Sequence, residues 1–142
     1  MNPIGFLYAV GAAITWGLVY TIDQKILTNI SPLTLLFIDS LITAIIMIPF
    51  FFLDKKPIIN LVNSGKVNLF LILISLILAV VANFLIYSGI KAIGASMASV
   101  FEISYPLFVV LFSFLFFRTS FNASFLFGAS LIVLGSIIIL KF

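Results

Sequence analysis

Cysteine and histidine are both missing from the 142 residues. With them go disulfides, thiolate and imidazole catalysis, and the ligand sets usual for zinc and haem. No cofactor and no catalytic residue is expected. Charge is scarce as well: seven bases and four acids make up 8% of the chain, for a formal net charge of +3. The bases stand singly or in pairs in short connections, not in a basic stripe or tail. Nucleic acid is therefore excluded as a partner, and membrane lipid is the surface these charges suit. A soluble domain is lacking too, because the longest polar connection is only "DKKPIINLVNSGKV" at 54–67.

What the chain has in abundance is apolar length. Hydrophobic residues make up 64% of it and the mean hydropathy is +1.41, far above the usage of soluble domains. Apolar runs at 4–22, 32–53, 68–90, 95–117 and 123–140 each come close to the roughly 20 residues a helix needs to cross about 30 Å of hydrocarbon. They are continuous and do not alternate at period two, which favours helices over a barrel. The expectation is an all-α integral membrane protein, a single domain over 1–142 with five transmembrane helices. Five such runs in succession rule out buried helices of a soluble fold. "MNPIGFLYAV" carries no Lys or Arg ahead of the first run, so that run reads as a retained span and not as a signal peptide.

Five spans place the termini on opposite sides. Lys55, Lys56, Lys66 and Arg118 then lie on the side of the N-terminus, and Lys25, Lys91 and Lys141 on the other. Four against three hardly fixes an orientation under a rule that reads Lys/Arg excess. One alternative is insertion one way only. The sharper one is dual insertion, with two antiparallel copies building a ten-span inverted repeat.

Ionisable groups at membrane depth are expensive and by default functional candidates. Asp39 and Glu102 each lie seven residues into a span, about 10 Å along the axis, and both spans start on the same side. The two carboxyls share a depth and are candidate neighbours, able to hold one proton between them and exchange it for a cation. The bland alternative pairs Asp39 with Lys25. Ala95, Ser99, Glu102, Pro106 and Ser113 fall on one helical face. Pro106 cannot donate to the carbonyl of Glu102, four residues back, so a kink with an opened acceptor is expected beside the acid.

The first span carries Gly5, Ala9, Ala12, Trp16, Tyr20 and Asp23 at similar spacing. Trp16 can line a pocket, and Tyr20 reads either the same way or as an interface anchor. Asn83 and Tyr87 are one turn apart in the third span, where an interhelical hydrogen bond for the amide is the leading expectation. Gly128 and Gly135 give the fifth span a smooth stripe for helix packing, within the chain or at a dimer seam.

The order of "AAITWGLVY", "SPLTLLFIDSLITA", "NFLIYSGIKAIGASMASVFEISYPLF" and "FGASLIVLGS" resembles the EamA unit of the drug/metabolite transporter superfamily over nearly the whole chain. The resemblance implies a five-span half of a ten-span fold, whose two inverted halves enclose a substrate cavity lined by the first four spans. It implies a homodimeric secondary transporter in a prokaryotic cell membrane. This would export a small organic solute, a metabolite, amino acid-like or cationic compound, by alternating access. Two departures stand out. Asp39 occupies a position where many members carry Arg, which favours cationic substrates, and "FFRTS" at 116–120 lacks the Gly-Glu often found there.

Two rival readings are a structural subunit or hetero-oligomer half without turnover, and a membrane enzyme acting on lipids, which the missing His and Cys disfavour. For topology, reporter fusions at the C-terminus are expected to give signal on both sides of the membrane. Signal on one side only rejects dual insertion.

Overall fold

A backbone N–H in hydrocarbon has no water to turn to, so apolar runs of this length close their hydrogen bonds within themselves as helices. The computed structural model describes residues 3–53, 56–120 and 122–141, and all regular structure among them is helical. The elements are α1 (Pro3–Leu27), α2 (Pro32–Phe51), α3 (Pro57–Asn63), α4 (Lys66–Ile93), α5 (Ala95–Glu102), α6 (Tyr105–Phe117) and α7 (Ala123–Lys141). Asp54, Lys55 and the side chain of Lys141, counted among the charges above, lie outside what is described.

Four segments are long and apolar enough to cross a membrane: α1, α2, α4 and Ala95–Phe117 taken across its break. The apolar part of α7, Ala123–Ile139, is shorter; at 1.5 Å per residue it reaches roughly 25 Å. Several boundaries differ from the sequence reading. The first helix runs on through Asp23 and Gln24 to Leu27, because Asp23 is buried and Gln24, though exposed, bonds across to the start of the helix that begins at Ala95. The polar connection at 54–67 is not featureless, since Pro57 opens a short helix there, a first-turn position that proline suits. The run 95–117 is two helices, parted at Ile103–Ser104 just ahead of Pro106.

Local chemistry sets the ends. Ser31 caps α2 by accepting from Thr34 N–H at 3.1 Å, with Pro32 at the first helical position. Gly94 parts α4 from α5 at φ 83°, ψ 158°, a region nearly closed to other residues. Arg118 closes α6 in the left-handed region, φ 52°. Its N–H reaches Phe114 C=O at 3.0 Å, a terminus more often built on glycine.

Packing is concentrated at one end. Tyr20, Leu27, Leu35, Leu36, Tyr87, Ile90, Ala95 and Ala98 form one cluster, where the end of α1, the start of α2, the end of α4 and α5 converge. There Gly89 lets α4 approach Ala98 of α5 closely. Lys91 Nζ donates to Ile30 C=O at 2.9 Å, and Ala95 N–H donates to Gln24 Oε1 at 2.6 Å. Away from this end the helices diverge, and α6 buries no residue. The accessible surface is 11347 Å², against about 7,300 Å² for a compact soluble monomer of this mass. Much of the excess is the apolar flank that lipid covers.

Since Gly94 holds the closed end together at a positive φ, Gly94→Ala is expected to lower stability by roughly 1–3 kcal/mol. Gly11→Ala, in a helix with nothing within 4 Å of the added carbon, is expected to be neutral or stabilising. Thermal unfolding in detergent checks the contrast.

Candidate functional site

Above the packed end, α1, α4 and α5 part around a half-open cavity of about 700 Å³. Its polar and aromatic wall is Trp16 and Tyr20 from α1, Asn83 from α4, Ser99 and Glu102 from α5, and Tyr105 at the start of α6. Small residues on α1, Ala9, Ala12 and Gly17 among them, leave the room. Four residues separate Trp16 from Tyr20, which stacks them on one helix face. Their ring centroids are 5.6 Å apart and tilted by 51°, within the range aromatic pairs prefer.

The Tyr20 hydroxyl donates to Glu102 Oε2 at 2.6 Å, the length of an O–H bond to a carboxylate. Glu102 is the last residue of α5. An acid at a helix C-terminus meets the negative end of the helix dipole, and its own carbonyl cannot receive an N–H from Pro106. The chain thus collects acceptors at one point of the cavity wall and gives them a single strong donor. A cationic or amine-bearing ligand complements such a point, and no base lines the cavity.

The second acid stands apart. Asp39 Oδ2 accepts from the Tyr87 hydroxyl at 3.1 Å, which ties α2 to α4, and neither residue lines the cavity. Asp39 therefore bonds to Tyr87 and neither to Lys25 nor to Glu102. The two acids at equal depth are held by separate tyrosines on separate helices. Asn83 does line the cavity, but its amide donates to Ala79 C=O at 3.0 Å, one turn back in its own helix, and not to a neighbour. The spacing placed two donors and acceptors on one helix face, and the nearer carbonyl won. Ser99 donates to Ser96 C=O at 2.9 Å.

Gly128 and Gly135 have no atom within 4 Å of a built-on carbon, so α7 does not pack through them within the chain. The residues after each do that work: Ala129 is buried, and buried Ser136 donates to Val100 C=O at 3.2 Å.

Asp23 was not among the candidate site residues read from the sequence. It is 7% exposed, sits one turn past Tyr20, and feels the charge of Asp39. Its place on the Trp16–Tyr20 stripe was visible, but a first span ending at 22 left it in a loop.

A model of the EamA-like transporter family matches residues 3–141. No curated protein matches the chain. No solved structure matches it either.

The Tyr20–Glu102 bond is testable by a double-mutant cycle. Tyr20→Phe and Glu102→Gln are expected to couple by roughly 0.5–1 kcal/mol, below the usual range for a charged bond because the carboxyl is partly solvated. Trp16 is the sole tryptophan, so its emission is expected to change in both single variants. Additive variants with unchanged emission reject the contact.

Proposed function

The chain belongs to the EamA-like transporter family, and on that premise we propose that it is one half of a homodimeric secondary transporter. Two copies, inserted with opposite orientations, join their half-cavities into one chamber that opens alternately to either side. In this reading α7 crosses the membrane as a fifth span, and the protein works in the cell membrane of a prokaryote. The solute is small and organic, cationic or amine-bearing, and leaves the cell in exchange for protons.

The observation that carries the reading is the cavity of about 700 Å³, sealed at one end by the packed cluster and left half-open elsewhere. One chain does not enclose it, and a partner copy supplies the missing wall. Three further facts agree. The surface far exceeds that of a compact monomer. Gly128 and Gly135 face open space on α7, where another helix can approach closely. The near-balanced bases suit a chain that enters the membrane both ways.

Glu102 and Tyr20 are the proposed solute-binding and coupling pair, with Trp16 offering its ring face to a cation. Asn83 and Ser99 line the path. Asp39 and Tyr87 act from behind the cavity as a brace between α2 and α4.

The test is flux into proteoliposomes, screened over polyamines, quaternary amines and amino acids. The wild type is expected to be a dimer in detergent and to carry at least one such solute. Glu102→Gln is expected to cut the flux by about tenfold or more, equivalent to about 1.4 kcal/mol, while the dimer persists. A monomer without flux rejects the proposal in favour of a structural subunit, and unaltered flux in Glu102→Gln removes Glu102 from the mechanism.

A further inference from the structure

Outside the cavity, the molecule holds one more ionisable group that its fold has closed off. Asp23 is 7% exposed, and its Oδ2 atom is the one buried side-chain oxygen or nitrogen without a hydrogen-bond partner among the described residues. The burial is made by this chain alone, so a second copy can only deepen it. On one side lie Tyr20 and Tyr87, whose hydroxyls are spent on Glu102 and Asp39. Leu27, one turn further along α1, and Ile90 of α4, each 1% exposed, belong to the same packed end, which the Gln24–Ala95 bond also ties.

The groups that face Asp23 offer it no counter-charge. Asp39 of α2 acts on it as a like charge, and Tyr20 and Tyr87 both feel it. On α5 the ionisable group is Glu102, turned to Tyr20. A buried carboxylate oxygen without a donor costs several kcal/mol. A metal ion would ask for a shell of oxygens, and among the described residues no group of three acidic side chains gathers to supply one. A proton asks for one.

We propose that Asp23 is a proton-binding site of the closed end, separate from the Glu102–Tyr20 pair in the cavity. In this conformation the carboxyl carries its proton. Release leaves a negative charge on a carboxyl that is 7% exposed, with no donor at its Oδ2, which this packing cannot accommodate unless water enters beside α1. Proton release and loosening of the closed end are then one event. The assignment does not require that the chain carries any solute.

Infrared difference spectra of purified protein between about pH 5 and about pH 9 test it. The expected result is a protonated-carboxyl C=O band that Asp23→Asn removes and Glu102→Gln leaves in place. Asp39→Asn is expected to keep that band but shift the pH at which it titrates. Where Asp23→Asn does not fold, Asp23→Glu is read instead, with a band displaced in frequency as the supporting outcome. A spectrum that neither substitution changes overturns the proposal. So does loss of the band when sodium chloride replaces choline chloride at constant pH, which would make sodium the ion.

Discussion

A polar group inside an apolar helix must find its partner within the protein, because lipid offers none. Many here, Asn83 and Ser99 among them, bond back to a carbonyl of their own helix, and the few that reach across gather the helices toward one end. Gln24 receives the first free N–H of α5, Lys91 reaches the α1–α2 connection at Ile30, Tyr20 bonds to Glu102 and Tyr87 to Asp39. Helices in a membrane gain little from burying Leu against Leu, since lipid tails are as apolar as the side chain. Side-chain bonds of this kind, each worth on average about 0.6 kcal/mol in a bilayer, therefore specify which helix meets which. Small residues at Gly89, Ala95 and Ala98 let the backbones approach closely enough to form them.

The same constraint leaves the other end open. Toward it the helices present mainly exposed Ile, Leu, Val and Phe, and the cross-helix side-chain bonds named above lie away from it. A wedge-shaped bundle results, with the cavity at the point where α1, α4 and α5 begin to part. The break at Ile103–Ser104 lets α6 depart from the line of α5, and it leaves Glu102 at the rim of the parting instead of inside a continuous helix. One chain supplies a closed end and a half-open cavity, an asymmetry that the inverted second copy proposed above would complement.

Much of this was legible in the sequence, and the rest was hidden for definable reasons. Continuous apolar runs give helices because lipid leaves no other option, and the split near Pro106 follows from a missing donor. The stripe of Trp16 and Tyr20 marked a pocket face by helical spacing alone. What spacing cannot supply is the partner. Asp39 and Glu102 share a depth, yet depth says nothing of rotation about the helix axis, and each acid turned to a different tyrosine. Asn83 had two possible partners, and its own helix was closer. Asp23 and Gln24 looked like loop residues because polar character usually ends a span. Here they extend it, since the single-residue link at Gly94 between α4 and α5 brings α5 against the end of α1, where Gln24 caps it.

The two tyrosine–acid pairs differ in what they leave free. An ionised carboxylate offers about four acceptor sites, and each of these acids receives one side-chain donor. At Glu102 the remaining capacity faces a cavity wide enough for a solute, beside a carbonyl that Pro106 leaves open. Asp39 is exposed on α2 and does not line that cavity. A cation arriving at Glu102, as proposed above, would compete with the Tyr20 hydroxyl for the carboxylate, and Tyr20 sits one helical turn from Asp23 in the same packed cluster as Tyr87. Moving that ring disturbs the cover over Asp23. If both proposals hold, occupancy of the cavity and the charge of the closed end would be joined through α1, with no contact between the solute and the buried acid.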